Sequence, residues 1–131
     1  MIGESMSVQL HQWLDAFALD EFLRRHVAVV MVRLPDRVRD DFLDDPGFVL
    51  CDYEPTVGAG TVVPVGPPRR NAAGRSVVLK RTLRRRPDDF VRYVIAHELA
   101  HAHLRNAGRW PGEDPERAAD ALAAEWGYPR P

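Results

Sequence analysis

The stretch Tyr93-Val94-Ile95-Ala96-His97-Glu98-Leu99-Ala100-His101-Ala102-His103 decides how the rest of the chain must be arranged. It contains the pattern H-E-x-x-H, formed by His97, Glu98 and His101. On an α-helix, residues four apart lie one turn apart on the same face, so the two imidazoles can bind one cation. Zinc binds neutral histidine nitrogens at roughly 2.0–2.1 Å, which this spacing suits. The pattern is typical of a metal-dependent hydrolase.

Glu98 has a different role from the two histidines in this pattern. It follows His97 directly and lies at the edge of the same helix face. From there it can reach a water held by the metal, but it is poorly placed to be a ligand itself. Glu98 is therefore the candidate catalytic base.

Apolar residues surround the motif on nearly every side, which predicts a buried helix. They are Val91, Val94, Ile95, Leu99, Ala100, Ala102 and Leu104. Two histidines and a glutamate on a buried helix need partners, because an unpaired buried carboxylate is costly. A metal ion supplies such partners. The alternative interpretation is a helix that merely carries core histidines.

The C-terminal segment predicts a second helix that can pack closely on the first. Asp114-Pro115 is a helix start, with Asp as the N-cap and Pro at the first helical position, and Gly127 closes the helix after Trp126. Ala119 and Ala123 are small, which allows a close approach, whereas Leu122 and Trp126 are expected to anchor the helix in the core.

A catalytic zinc site usually has three protein ligands, and this second helix offers the third. Glu116 and Asp120 share one of its faces. We assign Glu116 as the third ligand, with Asp120 and Glu113 as alternatives. We assign Asp120 as the acceptor for the free ring N–H of a ligand histidine, because such carboxylates fix the tautomer and raise ligand basicity.

The pairing of His97-Glu98-x-x-His101 with Glu116-x-x-x-Asp120 resembles the gluzincin metallopeptidases, the zincins whose third ligand is a glutamate. Residues 116–123 are similar to the downstream helix of small IrrE/ImmA-type peptidase domains, and the resemblance covers roughly residues 76–127. It implies a zinc peptidase in which His97, His101 and Glu116 bind one Zn2+, Glu98 is the general base and Asp120 orients a ligand. It also implies that residues 76–80 form an edge strand beside which an extended peptide or protein substrate lies.

Such a mechanism normally includes a protein group that stabilises the oxyanion. The candidates for this donor are Tyr128, Tyr93, His103 and Arg109. His103 lies two residues beyond His101 and therefore on a different helix face, so we do not expect it to bind the same ion.

The predicted fold class is α+β, a zincin-like minimal domain. A small mixed or antiparallel sheet is expected to pack on the buried motif helix, with further helices at the N- and C-termini. The single domain 1–131 divides into an N-terminal helical part (1–45), a strand and loop part (46–86) and the metal-binding helices (87–131).

Individual elements follow from local patterns. Strands are predicted at 48–53, 76–80 and around 61–63, and a short helix at 36–43 after Pro35. A helix capped by Ser7 carries an apolar pattern that continues to His26. Residues 27–32 fit either the end of that helix or a short strand, because periodicity does not distinguish the two.

The composition bounds the cellular context. The chain has 45% hydrophobic and 28% charged residues and a net charge of −1, which is ordinary for a soluble globular protein. Cys51 is the only cysteine, so no internal disulfide is possible, and we expect it to be a buried strand residue. No secretory signal and no apolar run of membrane-spanning length is present, so a cytoplasmic protein without a membrane partner is predicted. The oligomeric state stays open.

A basic segment at 69–86 supports a competing hypothesis. Its eight basic residues, with no acid among them, are Arg69, Arg70, Arg75, Lys80, Arg81, Arg84, Arg85 and Arg86. The segment is either a solvated face flanking the active-site cleft, where it attracts acidic substrates, or a contact for nucleic acid or an acidic partner. The second alternative describes a zinc-stabilised regulatory or binding module without proteolysis. A non-peptide amide hydrolase with the same metal chemistry is a third interpretation.

Overall fold

The motif helix α4 (Asp88–Asn106) packs against most other elements of the computed structural model, which describes residues 4–53, 75–106 and 114–131. The other helices are α1 (Glu4–Asp15), α2 (Glu21–Arg33), α3 (Asp36–Leu43) and α5 (Pro115–Glu125). The strands are β1 (Phe48–Tyr53) and β2 (Arg75–Lys80), and a 3-10 helix spans Arg81–Arg85. The architecture is a mixture of helices with a small sheet, which confirms the α+β class.

Helix α4 is buried, as its sequence predicts. Val91, Ile95, Ala96, Leu99 and Ala100 have no exposed surface. Asp88 and Asp89 occupy its first turn, where carboxylates favour the positive end of the helix dipole. The helix packs against α2, α3, α5 and β2, so it is central to the described fold.

We expected a small mixed or antiparallel sheet, and the antiparallel alternative is wrong for the two described strands. Strands β1 and β2 pair in parallel, with Phe48 opposite Arg75 and Tyr53 opposite Lys80. The two strands are separated in the sequence by residues 54–74, and a parallel pair needs a connection of a dozen or more residues. The strands occur where the patterns predict them, except that the expected strand around 61–63 lies outside the described residues. Cys51 is buried in β1, as expected.

The N-terminal apolar pattern forms two helices where the sequence suggested one. Helix α1 already begins at Glu4, so Ser7 is inside it, and the chain turns before α2. Asp20 causes the new start, because its side chain accepts a hydrogen bond from the Phe22 amide as an N-cap. Residues 27–32 are helical, and Val27, Val30 and Met31 are fully buried.

A buried arginine fixes the start of β2 against α3 and α4. Arg75, which is 5% exposed, forms ion pairs with Asp41 and Asp45 at 3.1 and 2.6 Å. It also donates to the carbonyl oxygen of Ala102 at 3.0 Å. His103 lies on the other side of Asp41, 2.8 Å from its carboxylate. This network holds the sheet on the C-terminal half of the motif helix.

None of the helices in the described ranges is long and apolar enough to cross a membrane.

Candidate metal centre

Three side chains from α4 and α5 converge on one point. The Nε2 atom of His97 lies 2.9 Å from one carboxylate oxygen of Glu116, and the Nε2 atom of His101 lies 3.1 Å from the other. The two imidazole rings are nearly perpendicular, with centroids 4.7 Å apart. One ligand atom from each residue lies within 4.8 Å of the other two, so the three residues can hold a metal ion.

The orientation of His97 is set by Asp120. The Nδ1 atom of His97 lies 2.7 Å from Oδ1 of Asp120, which also accepts a hydrogen bond from the Tyr93 hydroxyl at 2.6 Å. Arg130 donates to the other oxygen of Asp120 at 2.8 Å. Burial raises the pKa of Asp120, but the hydrogen bonds from Tyr93, Arg130 and His97 outweigh that effect and lower it to about 2. Asp120 is therefore ionised and accepts only.

The contact between His97 and Asp120 determines which ring nitrogen of His97 is free to bind a metal ion. Because an ionised Asp120 cannot donate, the Nδ1 atom of His97 must carry a proton. In a neutral ring the Nε2 atom is then an acceptor, and it faces a second acceptor, the carboxylate of Glu116. Two acceptors at 2.9 Å require a proton or a metal ion between them. The donor set of two imidazoles and one carboxylate fits zinc, whose catalytic sites include the His2Glu combination.

The position of α5 follows from features that are local in the sequence. The Asp114 side chain accepts hydrogen bonds from the amides of Glu116 and Arg117, which starts the helix one residue before Glu116. Ala119 and Ala123 have no exposed surface, as expected for small residues at a close helix contact. The short contacts that His97 makes with Glu116 and Asp120 show that these two acids point at the motif helix.

Glu98 lies between the two histidines and a groove. The groove, of about 540 Å³, runs between β2, the 3-10 helix and α4, and Glu98 lines it together with Val94. Burial raises the pKa of Glu98 above its ordinary value, and the nearby His97 and His101 oppose that rise only in part. A carboxylate with a raised pKa beside a metal site is suited to accept a proton and return it.

The structure describes three of the four candidate oxyanion donors. Tyr93 lies beside the candidate metal centre, where its hydroxyl donates a hydrogen bond to Asp120. Burial and, to a smaller extent, the Asp120 carboxylate raise the pKa of Tyr93 to about 12. His103 instead faces Asp41, and Tyr128 is buried with the guanidinium of Arg33 over its ring. Arg109 lies outside the described residues, as does Glu113, the alternative ligand.

Arg130 is the site residue that the sequence analysis did not identify. It reaches Asp120 from beyond the end of α5 because the chain reverses at Gly127, whose φ of +101° suits a residue without a side chain. Its guanidinium also lies 5.3 Å from the centre of the Tyr93 ring. Nothing in the local pattern around Arg130 indicates this contact, since it depends on the direction of the chain after the turn.

Comparison with protein-family models, with curated proteins and with solved structures found no match to this chain.

Proposed function

We propose that this protein is a zinc-dependent peptidase in which His97, His101 and Glu116 hold one metal ion and Glu98 is the general base. The observation that carries the proposal is the convergence of two imidazole nitrogens and a carboxylate on one point, next to the half-buried Glu98. When bound, zinc supplies a Lewis acid and lowers the pKa of a coordinated water to about 7.

The side chains of the protein then have distinct tasks. Glu98 accepts the proton that water loses as its oxygen bonds to the peptide carbonyl carbon. When the carbon–nitrogen bond breaks, Glu98 passes that proton to the leaving amine. Asp120 keeps the proton of His97 on Nδ1, so that Nε2 stays available to the metal. The groove beside Glu98 is where the substrate lies.

The metal content of purified protein tests the ligand assignment. We expect about one zinc per chain in the wild type and in Glu98→Gln, and little in His97→Ala, because two ligands do not complete a zinc site. His11→Ala is the matched control, since His11 is exposed on α1 and its ring hydrogen-bonds to the Ser7 carbonyl oxygen, away from the candidate centre. Unchanged zinc in His97→Ala would contradict the assignment.

Cleavage of a proteome-derived peptide library, read by mass spectrometry, tests the reaction. We expect cleavage by the zinc-loaded wild type, and a loss of roughly 10²–10⁴-fold in Glu98→Gln, the range for removal of a general base. Glu125→Gln, on the exposed side of α5, is expected to cleave like the wild type. A wild type that holds zinc but cleaves nothing, or an active Glu98→Gln variant, would overturn the proposal.

The competing binding-module hypothesis rests on the basic segment 69–86, and the structure reduces the charge that this segment presents. Three of its basic residues are paired with carboxylates of the same chain: Arg75 with Asp41 and Asp45, Arg81 with Asp52, and Arg84 with Asp20. Salt-dependent binding of DNA or RNA that survives Glu98→Gln, without any peptide cleavage, would favour that hypothesis over the peptidase.

A further inference from the structure

The groove beside Glu98 has an apolar floor with basic side chains at its rim. Val78, Leu83, Phe90 and Val94 supply the apolar surface, from β2, the 3-10 helix and α4. Lys80, Arg85 and Arg86 line the same groove and are exposed. Glu98 is the only carboxylate among the described residues that line it. The groove therefore combines an apolar contact surface with a net positive charge.

The positive charges of Lys80, Arg85 and Arg86 are available to a ligand. Within the described ranges, no ion pair with a carboxylate joins Lys80, Arg85 or Arg86, in contrast to the three paired arginines of the same segment. The guanidinium of Arg86 lies 4.1 Å from the centre of the Phe90 ring, which keeps its charge at the groove wall. Among the described basic residues of this segment, the three without an ion pair to a carboxylate therefore all line one groove.

The length of the groove along α4 indicates how many peptide residues it can hold. Phe90, Val94 and Glu98 are spaced four apart on α4, so they form one stripe about 12 Å long along the helix axis. An extended peptide advances about 3.3 Å per residue, so three to four residues cover that distance. Glu98 marks the end of the stripe at the metal centre, whereas Phe90 with Arg86 marks the opposite end.

We propose that the groove selects a peptide segment with an apolar side chain next to the scissile bond and acidic side chains three to four residues away. The apolar side chain packs on Val94 and Leu83, and the acidic ones meet Arg85 and Arg86. Glu98 adds to the selectivity, because an acidic residue close to it is repelled. This inference rests on the proposed peptidase function, and it names the class of substrate.

Calorimetric titration of the zinc-loaded Glu98→Gln protein with synthetic peptides tests the proposal. The probes are alanine-based peptides with a central leucine and two glutamates three and four residues from it, on the N-terminal or the C-terminal side. Matched probes carry glutamine or lysine at those two positions. We expect one of the two glutamate peptides to bind about five-fold more tightly per acidic side chain than its glutamine counterpart, the upper range for exposed ion pairs. The lysine peptide is expected to bind more weakly, and the preference should shrink as salt rises.

A double variant separates the groove from general electrostatics. Arg85→Gln with Arg86→Gln is expected to abolish the preference for glutamate, whereas Arg25→Gln with Arg37→Gln, which removes two exposed charges outside the groove, is expected to keep it. Equal affinities for the glutamate and glutamine peptides, or a preference that survives in the groove variant, would overturn the proposal.

The outcomes also distinguish this inference from the proposed function. Library cleavage by the wild type without any acidic preference would leave the peptidase standing and reject the groove proposal. An acidic preference in binding, with no cleavage by the wild type, would keep the groove as an acidic-peptide site and reject the peptidase.

Discussion

At the scale of single residues, Asp120 connects the candidate ligand His97 to other parts of the protein. Its two oxygens are contacted by His97, Tyr93 and Arg130, and these partners come from α4 and from the chain beyond α5. A carboxylate behind a ligand histidine fixes the ring orientation and the tautomer. Because the pKa of Asp120 is about 2, this function is present throughout the neutral range.

Asp120→Ala is expected to weaken zinc binding by roughly 10–100-fold, the range for loss of such a partner, measured by competition with a chromogenic chelator. Asp120→Asn should recover part of the loss, because an amide oxygen can still accept from Nδ1 of His97. Glu125→Ala, on the same helix, is the control. Wild-type affinity in Asp120→Ala would show that the contact does not support the metal.

The contact between α4 and α5 determines the geometry of the centre at the scale of elements. Glu116 and Asp120 reach His97 only if α5 lies close to α4 and in one register. Ala119 and Ala123 are completely buried, and small residues permit that distance. The same contact explains why the two acids face the histidines while Glu125, on the same helix, faces solvent.

We therefore expect Ala123→Leu to disrupt the centre. The larger side chain should separate the two helices and lower the free energy of unfolding by about 1–3 kcal/mol, the usual cost of overpacking. Zinc affinity should fall at the same time, because Glu116 moves away from the histidines. Ala124→Leu places the same side chain on the exposed face and is expected to change neither quantity appreciably. Chemical unfolding and chelator competition measure the two effects.

At the scale of the whole molecule, the Arg75 network joins α3, β2 and α4. The Asp41 carboxylate accepts from both terminal nitrogens of Arg75 and contacts His103. Burial alone would raise the pKa of Asp41, but the hydrogen bonds from Arg75 and His103 outweigh it and hold the pKa below its ordinary value. The hydrogen bonds that the Asp41 carboxylate accepts therefore contribute fully to stability only while Asp41 is ionised.

Because folding lowers the pKa of Asp41, the stability that its carboxylate contributes depends on pH. A lowered pKa in the folded state means that the stabilisation is complete above the unfolded value of about 3.9 and is lost as pH falls towards the folded value. Asp41→Asn is expected to reduce the free energy of unfolding by about 1.5–3 kcal/mol at pH 7, the range for hydrogen bonds to charged groups. Its stability should then fall less steeply than that of the wild type below pH 4. Asp40→Asn, at an exposed neighbouring position, is the control for urea unfolding at several pH values.

The elements that the sequence predicted well depend on interactions between residues close in the chain. The burial of α4 follows from apolar residues on nearly all of its faces, and Asp114 caps the start of α5 by accepting hydrogen bonds from the amides of Glu116 and Arg117. The closeness of His97 and His101 is likewise a property of one helical turn. The break between α1 and α2 was missed because Asp20 caps α2 inside a continuous apolar pattern.

The sequence by itself determined the motif helix, the α5 helix and the residue types able to bind a metal, since each depends on contacts within a few residues. Only the tertiary structure decided that Glu116 meets both histidines, that Arg130 returns to Asp120, that the two strands run in parallel and that three basic residues share a groove with Glu98. These features join residues far apart in the chain. Their geometry depends on how helices and strands pack in the core, and no local pattern specifies that packing.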